Sequence, residues 1–269
     1  MKIIQISDLH ITPADHLLFG SDPLRRLQQC VQHINRHHAD ADLCVLTGDL
    51  THAGHPLAYE RLHAGLQDLI PPVRLMMGNH DNRAAFRRVF AQERTELSDF
   101  VQYAETVQDW RLIYLDTLQD GFTNGYLCEL RLSWLQNELA RHSGPVMIFS
   151  HHPFPNLQYP AMDWLRLSNA SQILPMLKAH PAPLHLFAGH VHRCASGIWN
   201  GLPFVTVSGT NHQHELDLAH EGAATSTFEP ASYAVILPNA EGLTVHFQPF
   251  DYLELRFPYT GDLGQLRCM

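Results

Sequence analysis

Six short apolar runs separated by amphipathic stretches constrain this chain more than any other feature. They are "KIIQI" from Lys2, "LCVLT" from Leu43, "VRLMM" from Val73, "RLIYL" from Arg111, "PVMIF" from Pro145 and "LHLFA" from Leu184. Continuous rather than alternating hydrophobicity suits strands covered on both faces, the condition of parallel or mixed sheets flanked by helices. Helical periodicity fills the gaps. In "DPLRRLQQCVQHINRH", Asp22 is placed to cap the amino end, Pro23 takes the first helical position, and Leu24, Leu27, Val31 and Ile34 share one face. "PLAYERLHAGLQDL", "NRAAFRRVFAQE", "RLSWLQNELARH" and "ASQILPMLKAH" repeat the pattern, with Pro175 starting or kinking the last. Such alternation is the signature of βαβ units and of the α/β class. After residue 200 come "LPFVTVSGT", a polar excursion from His212 to Pro230, and a hairpin of "SYAVILP" and "LTVHFQPF" joined through "NAEG".

Five of the six runs end in groups that can bind metals. The first is followed by Asp8 and His10, the second by Asp49, the third by Asn79 and His80, the fifth by His151 and His152, and the sixth by His190 and His192. In an open α/β sheet the carboxyl ends of parallel strands converge on one crevice, so all five groups can meet. Asp8 and His10, like His190 and His192, are two apart, which on an extended backbone points both members the same way. Gly48, Gly78 and Gly189 precede the polar groups, where a tight turn or close backbone approach favours a residue without Cβ. His, Asp and an Asn carbonyl without thiolate make a mixed N/O set that suits Fe, Mn, Zn or Co. Seven donors exceed one ion's needs, and one carboxylate shared between two ions about 3.5–4 Å apart resolves the count.

Composition narrows the setting. A chain of 269 residues with 45% hydrophobic content can bury a sizeable core as one large domain or one domain with an appendage. A net charge of -9 and the lack of a Lys/Arg run argue against a nucleic-acid polymer as partner. Bulk charge of that sign repels a phosphate-bearing ligand, so bound metal is the expected local source of positive charge. Cys30, Cys44, Cys128, Cys194 and Cys268 form no CxxC pair and read as reduced thiols. No apolar run reaches membrane-span length and "MKIIQIS" has no signal-peptide core, so a cytoplasmic protein with no membrane partner is expected.

The set Asp8/His10, Asp49, Asn79/His80, His151 and His190/His192 resembles the calcineurin-like metallophosphoesterases, over residues 1 to 212. "ISDLH", "GDLTHAGHPLAYERL", "GNHDNRAAF", "SHHPFP" with Met162-Asp163, and "GTNHQ" are similar to bacterial class III cyclic-nucleotide phosphodiesterases and their glycerophosphodiesterase relatives. That resemblance implies a four-layer α/β/β/α sandwich with two mixed sheets and a small C-terminal β/loop cap. Residues 1–210 would form the metallophosphoesterase domain, and 211–269 a cap or dimerisation segment completing the second sheet in a homodimer or higher homo-oligomer. It further implies that Asp8, His10 and His192 bind one metal ion, that Asn79, His151 and His190 bind another, and that Asp49 bridges them. His80 would face the substrate phosphate as hydrogen-bond or proton donor, oriented by Asp81, and His212 would approach substrate from the far side.

The expected activity is hydrolysis of a small phosphodiester, a 3',5'-cyclic nucleotide or a glycerophosphodiester, by in-line attack of water activated on two divalent or trivalent ions. The alternatives are a phosphomonoesterase or nucleotide pyrophosphatase on the same core, and a noncatalytic metal-binding scaffold. Around this set, His152 reads as packing, His52 and His55 as surface loop histidines, Arg83, Arg87 and Arg88 as a solvated helix face, and Asp116 as a structural carboxylate without partners.

Overall fold

The computed structural model describes residues 1–14, 16–92, 95–219 and 221–252. The first half builds β1 (Ile3–Ile6), α1 (Pro23–His38), β2 (Leu43–Leu46), α2 (Pro56–Leu66), β3 (Val73–Leu75) and α3 (Arg83–Val89). There follow β4 (Tyr103–Val107), β5 (Trp110–Tyr114), α4 (Glu129–Arg141), β6 (Val146–Ser150), α5 (Pro160–Asp163), α6 (Ala170–Lys178), β7 (Leu184–Ala188), β8 (Ala195–Trp199) and β9 (Leu202–Thr206). Short β10 (Gln213–His214) and β11 (Ser226–Thr227) pair with each other, and the hairpin β12 (Ser232–Asn239) and β13 (Gly242–Pro249) closes the described chain.

The strands form a five-stranded sheet, β13-β12-β1-β2-β3, and a six-stranded sheet, β4-β5-β6-β7-β9-β8. In the first, β1, β2 and β3 are parallel; in the second, β5, β6, β7 and β9 are parallel, with β4 and β8 antiparallel at the edges. Helices cover the outer faces. Leu27, Val31 and Ile34 of α1 and Tyr59 and Leu62 of α2 pack on the first sheet, whereas Leu135 and Leu139 of α4 and Ile173 and Leu177 of α6 pack on the second.

Strand pleating explains how the sheets face each other. Along β5 and β6, Leu112, Tyr114, Met147 and Phe149 share a core with the first sheet, while the intervening Ile113, Val146 and Ile148 meet α4 and α6. The rings of Tyr114, Phe149 and Phe187 stack in series between the sheets, with centroids 5.6 and 5.0 Å apart. Truncating the central ring to alanine would cost about 3–5 kcal/mol. The result is an α/β/β/α sandwich with two mixed sheets.

Gln5 interrupts the apolar run of β1, yet it is fully buried. Its amide donates to Thr47 Oγ1 (3.2 Å) and to the Ala188 carbonyl (3.1 Å), tying the ends of β1 and β2 to the end of β7. This tie holds the two sheets together at the edge where their parallel strands finish.

Several details differ from the sequence reading. The C-terminal hairpin, expected in the second sheet, completes the first, because β12 pairs antiparallel with the edge of β1 that β2 leaves open. Edge strands β4 and β8 escaped the apolar-run criterion because "YAETV" and "ASGIW" carry polar or small residues on their half-covered faces. Pro175 lies inside α6 rather than opening it. Asp22 caps α1 as expected, its side chain accepting from the Leu24 N–H at 3.0 Å. Cys30, Cys44, Cys128 and Cys194 are free thiols; Cys268, and the segment beyond residue 252, lie outside the described residues. Among the described residues no helix is long and apolar enough to cross a membrane.

Candidate metal centre

Beyond the strand ends the backbone turns left-handed. Asp8 (φ 54°), His10 (φ 50°), Asp49 (φ 47°), His190 (φ 71°) and His192 (φ 51°) all occupy the region that costs an L-residue about 1–2 kcal/mol. The extended geometry expected for the Asp8/His10 and His190/His192 pairs is therefore wrong: these residues lie past β1 and β7, where no ladder holds the chain straight. Cross-links within and between the sheets sustain the strain. Asp8 N–H donates to Gly48 O (3.1 Å), His10 N–H to Asp49 O (2.9 Å), and His190 N–H to Asp8 Oδ2 (3.0 Å) across the inter-sheet gap.

Glycine is required where these turns touch. A Cβ on Gly78 would fall 2.2 Å from Asp49 Oδ1, and one on Gly189 would fall 1.9 Å from Ser7 Oγ. Both approaches are closer than any side chain tolerates.

The seven donors singled out in the sequence come together as two groups that meet at one carboxylate. On one side His10 Nε2 lies 3.2 Å from His192 Nε2 and 3.6 Å from Asp49 Oδ2, and His192 Nε2 lies 3.5 Å from Asp8 Oδ1. On the other, His151 Nε2 lies 3.1 Å from Asn79 Oδ1, 3.0 Å from His190 Nδ1 and 3.3 Å from Asp49 Oδ1. Each oxygen of Asp49 thus faces a different group. Asp8, His10 and Asp49 hold their donor atoms within 4.8 Å of one another, and among the described residues three further sets of three do so with His52 and His80, with His212, or with His152 as members.

The family model described as calcineurin-like phosphoesterase matches residues 1–194. This chain belongs to the calcineurin-like phosphoesterase family. A relative in Rhodopseudomonas palustris, named probable cyclic nucleotide phosphodiesterase, is 37% identical over 94% of this chain and 93% of its own. A second, in Arcobacter nitrofigilis, named probable glycerophosphodiester phosphodiesterase, is 30% identical over 99% of each chain. Among solved structures, a dimetal phosphatase from Danio rerio superposes with a TM-score of 0.70 at 16% identity, over 93% of this chain and 96% of that one, which speaks for a shared fold.

Backbone carbonyls orient the imidazoles of this phosphoesterase. His151 Nδ1–H donates to Thr47 O (2.8 Å) and His192 Nδ1–H to His212 O (2.8 Å), so the Nε2 of each turns toward the carboxylates. Burial holds His10 and His190 well below the usual imidazole range and brings His192 down to about 4. These rings are neutral at pH 7, the state a metal ligand needs. His151 behaves otherwise: burial opposes its protonation, but the adjoining Asp49 overrides that and lifts it to about 9. Burial pushes the Asp8 carboxyl up to about 6.

Asp81 does not orient His80. Its carboxylate accepts from Leu50 N–H, Thr51 N–H, Thr51 Oγ1, Tyr59 OH and Gly78 N–H, locking the turn after β2 to the turn after β3. The His80 ring is held instead by the His52 carbonyl, which accepts from Nδ1–H at 2.7 Å, and it stacks on the His52 ring at 5.2 Å. His52 is therefore part of the site's frame rather than a free surface histidine. His55 caps α2 and remains exposed, as expected, and buried His152 bonds Thr117 Oγ1 (2.7 Å) and Thr123 O (3.2 Å).

Arg83 departs from the solvated-face expectation: it grips buried Asp116 through Nε (2.7 Å) and Nη2 (2.8 Å), a partner for Asp116 that the sequence does not reveal.

Over the donors lies a cavity of about 290 Å³, with His80 and His212 in its lining. His212 packs against His192 at 4.3 Å between ring centroids and against His10 at 5.2 Å. The sequence reading missed Phe19, Trp164, Thr123 and His214, which also line the cavity. His214 carried a signal, a second histidine two positions after His212; the others belong to loops with no periodic pattern to expose them.

Proposed function

We propose that this chain hydrolyses small phosphodiesters with the help of two metal ions. Asp8, His10 and His192 would hold one ion, Asn79, His151 and His190 the other, and Asp49 both. The meeting of two donor groups at the two oxygens of a single buried carboxylate carries this reading.

The residues fit such ions on chemical grounds. Two buried carboxylates, Asp8 and Asp49, have only one raised imidazole, His151, as cationic neighbour among the seven, and unpaired buried charge is costly. The Nε2 of neutral His192, and that of His151 once its extra proton is displaced, converge with these oxygens, as a cation requires. When bound, the two ions supply a water activated at neutral pH and offset charge developing on the phosphoryl oxygens. Iron, manganese, zinc and cobalt all suit the N/O set.

His80 is the proton donor in this reading. Its Nδ1–H is committed to the His52 carbonyl, which leaves Nε2, 4.0 Å from Asp49 Oδ2 and partly exposed, to carry a proton toward the leaving oxygen. Such a group is worth about 10²–10⁴-fold in rate. His212 accepts from the Asn211 amide at Nδ1 (3.2 Å), so its proton sits on Nε2 and can donate to a phosphoryl oxygen. Segment 211–269 serves as the cap and as the surface for self-association; the cavity wall contributed by His214 and Ala224 supports the capping part.

Purified protein, stripped of metal and then supplied with Mn²⁺, should hydrolyse bis(p-nitrophenyl) phosphate in preference to p-nitrophenyl phosphate. Faster monoester turnover would make the chain a phosphomonoesterase, and silence with every metal tried would make it a noncatalytic scaffold.

A further inference from the structure

The cavity lining is of two chemistries: His10, Asp49, Asn79, His190 and His192 of the donor cluster, and an apolar wall of Phe19, Ala161, Met162, Trp164, Leu165 and Ala224. A glycerol moiety lying against that wall would leave hydroxyls without partners, whereas a flat heterocycle would bury both faces.

Phe19 is the more telling of the two aromatics. Leu18 and Ser21 exchange both backbone hydrogen bonds (2.9 and 3.0 Å) around Phe19 and Gly20, whose φ angles are 52° and 81°. A two-residue turn with both central φ angles positive favours Asn-Gly, and a bulky residue in its first position is strained. The turn gains nothing from a phenyl ring that is 57% exposed. That ring lines the cavity edge-on to His212, at 4.9 Å between centroids.

Trp164 follows the single turn of α5, and its Nε1–H donates to Ala161 O at 3.1 Å. This bond fixes the edge of an indole that nevertheless stays 65% exposed. Neither ring is placed by the core, and both border the same opening.

We propose that Phe19 and Trp164 clamp the planar base of a nucleoside phosphodiester, so that this chain selects base-bearing cyclic diesters over glycerol diesters. The proposal rests on the phosphodiesterase reading above, but its first test needs no turnover. Base–aromatic stacking of this kind is worth about 5- to 150-fold in affinity.

Adenosine titrated into metal-free protein should quench tryptophan fluorescence saturably, glycerol should not, and Trp164→Leu should abolish the quench although three of the four tryptophans remain. Phe19→Asn, which suits the turn, should keep or raise Tm while weakening adenosine binding about 5- to 150-fold. In the Mn²⁺-loaded enzyme, both variants should lower the ratio of kcat/KM for 3',5'-cyclic AMP to that for glycerophosphoethanolamine by about tenfold or more. Absent quenching in the wild type, quenching that survives Trp164→Leu, or an unchanged substrate ratio with hydrolysis of both diesters would overturn the clamp and leave the phosphodiesterase reading standing. Saturable, Trp164-dependent quenching in a protein that hydrolyses no diester would do the reverse.

Discussion

Replacing Asp81 by asparagine separates two roles for that carboxylate. Oδ2 receives the N–H groups of Leu50 and Gly78 at 3.0 and 2.9 Å, and Oδ1 receives Thr51 N–H, Thr51 Oγ1 and Tyr59 OH at 3.0, 3.2 and 2.9 Å. An amide keeps one oxygen. With that oxygen in the place of Oδ1, its NH₂ confronts two backbone donors, so at least two hydrogen bonds to a charged acceptor vanish, at about 1.5–3 kcal/mol each. A neutral side chain is spared the burial cost that pushes this carboxyl up to about 6, which returns part of the loss.

The expected net effect of Asp81→Asn is roughly 2–4 kcal/mol, or about 4–12 °C in Tm by scanning calorimetry. Because the two turns carry Asp49 and Asn79, metal affinity should fall about 10–100-fold, measured by equilibrium dialysis. Tyr59→Phe, which removes one donor from the same carboxylate, should give a smaller loss in the same direction. Had Asp81 served to orient His80, the variant would keep its Tm and its metal and lose turnover alone. That outcome would refute the argument.

Three further results follow from the geometry. Asp49→Ala should lose both metals and activity, whereas His80→Ala should retain metal by elemental analysis and lose about 10²–10⁴-fold in kcat; a fully active His80→Ala enzyme would remove it from the mechanism. Gly78→Ala drives a methyl to 2.2 Å from Asp49 Oδ1, and should abolish metal retention even if the fold survives, as circular dichroism and metal content together would reveal. Metal uptake competes with protons on His151, lifted to about 9 by Asp49 despite its burial, and on Asp8, raised to about 6 by burial. Apparent affinity should therefore climb as pH rises from below 6 to above 9, with about one proton released per protein at neutral pH, by calorimetry in buffers of different ionisation enthalpy. Affinity flat across that interval would remove the protonated His151 from the account.

Much of the site was legible because its chemistry is local. A continuous apolar run ending in Asp-x-His or Gly-His-x-His announces both a buried strand and what it delivers, and the β1, β2, β3, β6 and β7 runs all behaved so. Asp81 shows where this reading stops. Its neighbour in sequence, His80, suggested a partnership, but the five groups it accepts from belong to Leu50, Thr51, Tyr59 and Gly78, three of them on other elements. Phe19 and Trp164 left no trace at all, since a loop aromatic looks the same whether it faces a cavity or bulk water.

By itself the sequence determined the candidate donor residues, the α/β alternation and the places where strands end, because side-chain chemistry and the two backbone periodicities are properties of short segments. Tertiary structure decided which sheet the last hairpin joined, that five donors sit on left-handed backbone, and that His190 N–H reaches Asp8 across 182 residues. Those outcomes depend on contacts between distant segments, whose geometry exists only once both sheets have packed.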